Sequence, residues 1–410
     1  MSMDIIAQDL AAQARSFATT AMAALMEKRS AHLSPANMTA WNRAKARVRA
    51  GVADATVAFV GDSTTVGHGA GDDPINNFNN ARNRSMPSRA AQQLVAMGLP
   101  ANAEAVFGGG TIDSASTTLT KLQLYNPQLN IASSGTSKWF TANEYTLGGR
   151  MMRSAGVATD LYSLTPSMPF DTMDLYYAGG FASTTFTVDV GGEALQTFST
   201  TGSAGLTKAT VSTGAAAAVS TINLKNTGGQ MFRLIGIILR NTQVRQVQML
   251  NLGWEGARTG DWASASGSAG YAPTSANSWA PDKALASLAP DLTIVKLGAN
   301  DVAASIPVAT CQANLQTIIA AAKTGGGSVI LVTPTPQNPA TRDPAGLTTA
   351  YNAMLHDVAG SNGCGLIDLH TRYMSWASAN GQGYFSDDVH SLPVGYANEG
   401  DIVARALFDS

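Results

Sequence analysis

Charged residues are scarce in this chain of 410 residues, of which Asp, Glu, Lys and Arg together make up 13%. A typical soluble protein carries about 25%. The 26 basic and 28 acidic residues nearly cancel, giving a formal net charge of −2, and no basic stripe stands out. Proteins that bind nucleic acid need such stripes to neutralise phosphates. We therefore predict no nucleic-acid partner.

Long apolar runs and cysteines are also lacking. No run approaches the ~18 apolar residues of a membrane-spanning helix, so no membrane span is predicted. The two cysteines, Cys311 and Cys364, exclude a disulfide framework and a thiolate metal cluster, and we expect two buried thiols rather than a bridge. The first residues do not form the basic segment and apolar core of a Sec signal peptide. Three alternatives stay open: a cytoplasmic protein, export or release by another route, and a leader already removed.

Apolar residues are plentiful enough for a sizeable core, at 45% of the chain. The length suggests two or three domains at ~150 residues each, and the composition changes along the chain in agreement with this. We predict an N-terminal helical segment over residues 1–50, a catalytic domain in two pieces, 51–105 and 246–410, and an inserted β-domain over 106–245.

The N-terminal segment has apolar residues on one helical face. They recur at spacings of three and four: Ile6, Leu10, Ala14, Phe17, Ala21 and Leu25. Two interpretations fit, a helix for oligomerisation or attachment and a helix that packs on the domain behind it. We favour packing, and a homo-oligomer remains an open alternative.

The two outer pieces carry an α/β pattern. Apolar, strand-like runs at 55–60, 247–250, 292–297, 329–332 and 365–369 alternate with helical runs at 88–97, 282–288, 307–323, 345–358 and 393–408. This alternation predicts a parallel sheet covered by helices on both faces. Residues 106–245 instead show short alternating runs between Gly-rich turns, which predict an all-β sandwich. The sandwich is therefore expected as an insertion in one α/β domain.

A serine follows the first of these strands directly. Residues 55–60 read Ala-Thr-Val-Ala-Phe-Val, and Gly61-Asp62-Ser63 comes next. The carboxyl ends of parallel strands are where α/β folds place their chemistry, and Gly61 allows a sharp turn from strand to helix. Ser63 is thus a candidate nucleophile. A serine hydroxyl is a weak nucleophile unaided, so a base and an oxyanion site must lie elsewhere in the chain.

The candidate base is His390, in the run Asp387-Asp388-Val389-His390. An Asp three residues before a His on a tight loop can reach its Nδ1, which leaves Nε2 free to take the proton of a serine. The spacing favours Asp387 over Asp388 for this contact. His68 follows Ser63 too closely to serve easily as its base.

Two further strand ends carry candidate oxyanion donors. Asn300 follows the strand at 292–297, where its carboxamide can donate to a developing oxyanion. Gly256 ends an Asn-x-Gly-x-x-Gly run after the strand at 247–250, and a glycine there lets its backbone N–H approach a substrate closely. Asp301 is expected to support its loop rather than react.

With these segments the chain resembles the SGNH (GDSL-type) hydrolases. Family block I matches Gly61-Asp62-Ser63, block II the run that ends at Gly256, block III Gly298-x-Asn300-Asp301 and block V Asp387-x-x-His390. The resemblance covers roughly 51–105 and 246–410. It implies a three-layer α/β/α, flavodoxin-like fold and a serine esterase without metal or cofactor. In it, Ser63, His390 and Asp387 form the triad, and the N–H groups of Ser63 and Gly256 with the Asn300 side chain form the oxyanion hole.

The chain departs from simple members of this family in one respect that bears on the identity of the substrate. Here the β-block separates block I from block II. This arrangement resembles bacterial and phage-associated members with an inserted carbohydrate-binding-like sandwich, many of them carbohydrate O-acetylesterases. An acetylated polysaccharide is therefore the expected substrate, and release as part of a phage tail would reconcile it with the missing signal peptide. The alternatives are a lipase, thioesterase or arylesterase with the same triad, and a glycan-binding or phage structural protein whose triad is vestigial.

Several side chains are candidates for substrate contact. Trp254, Glu255 and Arg258 flank Gly256 and are expected to line an acyl or sugar pocket, with local packing and a surface ion pair as the alternative. Aromatic residues of the β-block can stack on sugar rings or fill the sandwich core: Trp139, Phe140, Tyr176 and Tyr177. Strand alternation requires one of Tyr176 and Tyr177 to face inward.

Overall fold

The computed structural model describes residues 31–72, 78–108, 122–123, 125–131, 139–154, 156, 161–180, 183–202, 205–217, 220–264 and 279–410. The predicted helical face from Ile6 to Leu25 lies outside these ranges. The described remainder of the N-terminal segment contains helix α1 (Thr39–Arg49). Its Trp41 is fully buried and donates from Nε1 to the carbonyl of Leu407 at 2.8 Å. This described helix therefore packs on the catalytic domain.

A seven-stranded sheet forms the centre of the catalytic domain. Its strands, numbered in chain order through the whole chain, are β1 (Ala31–His32), β2 (Ala55–Gly61), β3 (Ala101–Asn102), β15 (Val247–Asn251), β16 (Leu292–Lys296), β17 (Ser328–Val332) and β18 (Gly365–Ile367). Their order in the sheet is β1-β18-β17-β16-β2-β15-β3. All neighbours run parallel except β1, which pairs antiparallel with β18 at the edge.

Helices cover both faces of this sheet. Besides α1 they are α2 (Ser63–Val66), α3 (Met86–Ala96), α4 (Thr259–Trp262), α5 (Pro281–Leu288), α6 (Ala299–Ala303), α7 (Val308–Lys323), α8 (Pro339–Arg342), α9 (Thr348–Ser361), α10 (Leu369–Tyr373), α11 (Trp376–Gly381) and α12 (Pro393–Asp409). Strand β2 shows why two layers form, because successive side chains point to opposite faces. Val57 and Phe59 pack with α1, α3 and α12, whereas Ala58 and Val60 pack in the core that contains α5, α7 and α9. The predicted three-layer α/β/α fold is confirmed.

Between β3 and β15 the chain forms two antiparallel sheets. The strands are β4 (Val106–Phe107), β5 (Leu129–Ile131), β6 (Trp139–Thr146), β7 (Gly149–Ser154), β8 (Leu161–Leu164), β9 (Phe170–Gly179), β10 (Thr185–Val190), β11 (Glu193–Ser199), β12 (Gly205–Ala217), β13 (Ile222–Asn226) and β14 (Arg233–Arg240). One sheet has the order β11-β10-β13-β8-β5; the other has β12-β9-β14-β7-β6, with β4 also pairing with β14. Apolar side chains of both sheets share one core. The predicted inserted β-sandwich is confirmed.

The sheet that contains β9 is buried on both of its faces. Tyr177 points into the sandwich, where its ring centroid lies 5.4 Å from that of Phe186. Its neighbour Tyr176 points the other way, packs on Phe107, and belongs to the core that includes Trp254 of the catalytic domain. Neither tyrosine is therefore an open platform for a sugar ring. The side chains of Trp139 and Phe140 lie outside what the structure describes.

Cys311 and Cys364 are buried and unbridged. Within the described ranges, every helix is too short or too polar to cross a bilayer.

Candidate active site

Three neighbouring strands bring the candidate residues to one edge of the sheet. Strand β2 lies between β16 and β15, and all three run in the same direction. The segments that leave their carboxyl ends carry Ser63, Asn300 and Gly256 respectively. Residues far apart in the chain therefore meet where open α/β sheets place their ligands.

Ser63 is held at the first residue of α2 by its neighbours in the turn. Asp62 caps the helix, accepting a hydrogen bond from the Thr64 N–H at 2.8 Å. A Cβ at Gly61 would collide with the Thr65 side chain and lie 2.9 Å from the Lys296 carbonyl oxygen. Only glycine fits there, so the predicted tight turn has a steric cause. Ser63 keeps 7% of its surface exposed.

The hydroxyl of Ser63 is the first link in a chain of hydrogen bonds. Its Oγ lies 2.8 Å from Nε2 of His390. On the other side of the ring, Nδ1 of His390 lies 2.7 Å from Oδ2 of Asp387. Oδ1 of Asp387 accepts from the backbone N–H groups of Val389 and His390, at 2.8 and 2.7 Å. The structure thus brings the three residues into the order that serine catalysis needs.

The environment of Asp387 keeps it ionised. Burial alone would raise the pKa of this carboxyl, but the hydrogen bond and charge of His390, with the two backbone N–H donors, outweigh it and hold the pKa well below its ordinary value. A carboxylate only accepts hydrogen bonds, so Nδ1 of His390 must carry a proton. Nε2 of the neutral ring is then free to accept the proton of Ser63.

Asp388, the alternative partner of the imidazole, turns away from it. Its Oδ1 accepts from Nδ2 of Asn338 at 2.8 Å, and its Oδ2 accepts from Oγ1 of Thr341 at 2.7 Å. These hydrogen bonds lower the pKa of Asp388. The neighbouring carboxylate therefore ties the His390 loop to helix α8, and Asp387 alone contacts the ring.

Asn300 has its carboxamide fixed in one orientation. Nη2 of Arg342, at the end of α8, donates to Oδ1 of Asn300 at 3.1 Å, and Nδ2 of Asn300 donates to the carbonyl of Ala257 at 3.1 Å. Because a guanidinium only donates, it must face the amide oxygen and not the nitrogen. Among the described residues, the second N–H of Nδ2 has no partner. Arg342, which the sequence did not single out, therefore leaves one amide N–H available to an oxyanion.

Gly256 lies in a tight turn with φ of +72°, a backbone conformation that favours glycine. Trp254, just before it, is 1% exposed and stacks on Trp262, with ring centroids 4.5 Å apart. This burial favours the packing alternative for Trp254. Arg258, on the other side of the turn, donates its backbone N–H to Asp261 at 2.8 Å at the start of α4.

Asp301 supports the same region from below. Its carboxylate accepts from the Thr259 hydroxyl at 2.6 Å and from the Thr259 N–H. Burial raises the pKa of Asp301, which is almost fully enclosed. The contact holds the segment after Gly256 against the segment after Asn300, in line with the supporting role expected for Asp301.

A second histidine lies against the first. The ring of His68 stacks on that of His390, with centroids 3.9 Å apart and planes 16° from parallel. Its Nδ1 lies 3.2 Å from Oε1 of Glu255. The sequence did not predict this stack. The position of His68 only five residues after Ser63 indicates that His68 is not the base, but it does not indicate that His68 lies against His390.

This cluster is also where a metal ion would find ligands. Nitrogens of His68 and His390 and an oxygen of Asp387 lie within 4.8 Å of one another in the described part of the chain. Both ring nitrogens of His390 already have partners, Asp387 and Ser63. An ion bound through His390 would have to displace one of them, so the arrangement fits proton transfer better than metal binding.

Part of the chain matches a known protein family, and the fold is similar to that of a solved structure. The sequence profile of the GDSL-like Lipase/Acylhydrolase family matches residues 233–397, a range that includes Gly256, Asn300, Asp387 and His390 but not Ser63. No curated protein sequence matches the chain. A solved structure described as "Peptidoglycan O-acetylesterase in action, 5 min" superposes with a TM-score of 0.64 at 17% identity, covering 90% of this chain and 95% of the other.

Two further solved structures are similar over a smaller part of the chain. A family two carbohydrate esterase from Clostridium thermocellum, in complex with cellohexaose, covers 63% of this chain and 94% of its own at 10% identity and a TM-score of 0.31. A lipase/acylhydrolase from Enterococcus faecalis covers 39% and 75% at 24% identity and a TM-score of 0.31. Of these three structures, the O-acetylesterase structure is similar enough overall to support the fold, sandwich included.

Proposed function

We propose that this chain, whose residues 233–397 match the GDSL-like Lipase/Acylhydrolase family, is a serine esterase that removes acetyl groups from acetylated carbohydrate. The observation that carries the proposal is the chain of contacts from Ser63 through His390 to Asp387, at 2.8 and 2.7 Å. A nucleophile, a base and a group that orients the base are the parts that acyl transfer through serine requires.

In the first half of the proposed reaction, Oγ of Ser63 attacks the ester carbonyl carbon while its proton passes to Nε2 of His390. The carbon–oxygen bond of the ester then breaks, and the leaving alkoxide takes that proton from Nε2. The products of this half are a free alcohol and an acyl group on Ser63. Asp387 holds the ring in place and stabilises the positive charge that it carries between the two proton transfers.

In the second half, water replaces the alcohol. His390 takes a proton from the attacking water, and the hydroxide adds to the acyl carbon. The bond to Oγ of Ser63 then breaks, and Oγ recovers its proton from Nε2. The carboxylic acid leaves, and the enzyme returns to its starting state without an external oxidant, reductant or cofactor.

Both halves pass through a tetrahedral intermediate whose oxygen is negatively charged. We assign its stabilisation to the N–H groups of Ser63 and Gly256 and to Nδ2 of Asn300. Donors fixed in place before the reaction are effective because they need no reorganisation when the charge develops. The hydrogen bond from Arg342 supplies that fixation for Asn300.

An Asn300→Ala variant tests this assignment. Loss of one oxyanion donor is expected to lower kcat by about 10²–10³-fold with little change in KM, because the contact strengthens only as charge develops. Arg342→Met is expected to act through the same amide, so the two losses should not add in the double variant. Steady-state kinetics on a p-nitrophenyl ester measure both, and fully additive losses would contradict the positioning role of Arg342.

The carbohydrate part of the proposal draws on the inserted sandwich and on the fold shared with the peptidoglycan O-acetylesterase structure, sandwich included. Its test is a panel of acetylated xylan, O-acetylated peptidoglycan and p-nitrophenyl esters of increasing acyl length. We expect acetate release from at least one polysaccharide and a fall in kcat/KM as the acyl chain lengthens. A preference for long acyl chains would point to a lipase or thioesterase instead.

A further inference from the structure

We propose that His68 and Glu255 recognise the alcohol part of the ester, by binding a hydroxyl group on the carbon next to the esterified one. The inference rests on the proposed ester hydrolysis at Ser63. It narrows the substrate class to esters of polyhydroxylated alcohols, sugars among them, and gives a binding role to a pair that the triad and oxyanion hole do not use.

The pair is a second histidine–carboxylate contact beside the first. Nδ1 of His68 lies 3.2 Å from Oε1 of Glu255, and the His68 ring stacks at 3.9 Å on the ring of His390. Glu255 comes from the turn that also carries Gly256, whereas His68 comes from the segment after Ser63. Two segments of the candidate site thus contribute one residue each to a contact that catalysis itself does not require.

The position of His68 is fixed from several sides. A Cβ at Gly69, where φ is +90°, would lie 2.7 Å from the carbonyl oxygen of Ser391, so the backbone here runs directly against the His390 loop. The hydroxyl of Tyr396 donates to the carbonyl of His68 at 2.7 Å. The ring of Phe78 meets the His68 ring edge to face, with centroids 4.4 Å apart. Such a residue is suited to specific recognition, because little freedom remains to be lost when a ligand binds.

The mechanism places the alcohol next to this pair. Nε2 of His390 must deliver its proton to the leaving oxygen, so the alcohol has to lie beside that ring. The oxyanion donors of Gly256 and Asn300 take up the carbonyl oxygen instead. The alcohol therefore extends into the space beside Nε2 of His390, and the His68 ring lies against the same imidazole, with centroids 3.9 Å apart.

The chemistry of the pair fits a hydroxyl ligand. A carboxylate only accepts, so the Nδ1 of His68 that contacts Glu255 carries a proton, and Nε2 of the neutral ring is left as an acceptor. A hydroxyl group can donate to that nitrogen, whereas an ether or alkyl group cannot. The side chains of His68 and Glu255 are 20% and 13% exposed, so both can be reached from solvent.

Two small esters that differ in one donor test the proposal: 2-hydroxyethyl acetate and 2-methoxyethyl acetate. The wild-type protein is expected to show a kcat/KM about tenfold higher for the hydroxy ester, the effect of one hydrogen bond. His68→Phe keeps a flat ring against His390 but removes the acceptor, and it should bring the ratio of the two kcat/KM values towards one. Glu255→Ala, which leaves the ring but removes its partner, should lower the ratio as well.

The matched control is His356→Phe. His356 forms a histidine–carboxylate contact of similar length, 3.1 Å to Asp368, on helix α9, and its variant should keep the wild-type ratio. An unchanged ratio in the His68 and Glu255 variants, an equal loss on both esters, or a wild-type ratio of one would overturn the proposal. Failure of the wild-type protein to cleave either ester would instead overturn the proposed function on which it rests.

Discussion

The Ser63→Ala variant is expected to lose ester hydrolysis almost completely, with kcat lower by about 10⁴–10⁶-fold. No other described side chain lies at Nε2 of His390 in a position to replace the nucleophile. A residual rate above that of water should remain, because the oxyanion donors and the binding site are untouched. Steady-state hydrolysis of p-nitrophenyl acetate by the two proteins measures the ratio.

The variant should fold as well as the wild-type protein. Ser63 is a small side chain at the start of a four-residue helix, and the hydrogen-bond partner of its Oγ among the described side chains is His390. Ser361→Ala, on the surface of α9, is the matched control and should keep full activity. If Ser63→Ala retained more than a tenth of the wild-type kcat, another nucleophile would have to be sought.

The second large effect concerns stability rather than chemistry. Nζ of Lys296, at the end of β16, lies 2.6 Å from Oε2 of Glu399 on α12, and the two side chains are 2% and 0% exposed. Oε1 of Glu399 accepts from the hydroxyl of Ser391, the residue after His390, at 2.7 Å. The pair therefore joins the centre of the sheet to the loop that carries the candidate base.

Removing one member of this pair should be costly. Lys296→Met leaves a buried carboxylate without its counter-ion and is expected to lower the free energy of unfolding by about 3–5 kcal/mol. The double variant Lys296→Met with Glu399→Leu removes both charges and should recover part of that loss. Urea denaturation followed by tryptophan fluorescence measures both.

The control for this prediction is an exposed ion pair with a similar distance between its nitrogen and oxygen atoms. Arg47 and Asp291 lie 2.7 Å apart, with side chains 46% and 27% exposed. Because water screens such a pair, Arg47→Met should cost less than about 1 kcal/mol. Equal losses for the Lys296 and Arg47 variants would mean that burial does not make the Lys296–Glu399 pair important.

The sequence was sufficient to predict the α/β/α fold and the inserted sandwich, because both depend on local patterns. Apolar strand runs alternate with helical runs in the outer pieces, and the middle block shows period-two alternation. The candidate catalytic residues could be predicted from the sequence for a related reason. Ser63, Gly256 and Asn300 each follow a strand, and parallel strands share one carboxyl edge, so their proximity follows from topology without knowledge of side-chain contacts.

What the sequence could not predict are contacts set by packing between distant segments. The orientation of the Asn300 amide depends on Arg342. This residue lies on a short helix that the sequence pattern does not predict. The stack of His68 on His390 depends on how closely two loops approach at Gly69. Tyr176 and Tyr177 illustrate the same limit, since alternation puts them on opposite faces but does not reveal that both faces are buried.

The most direct test of the central claim is covalent labelling with a fluorophosphonate, which reacts with a serine only where a base activates it and an oxyanion site holds the adduct. We predict a single adduct on the intact wild-type protein, located on Ser63 by peptide mass spectrometry, and none on the His390→Ala variant. A label on another residue, or active hydrolysis by a protein that takes no label, would contradict the account.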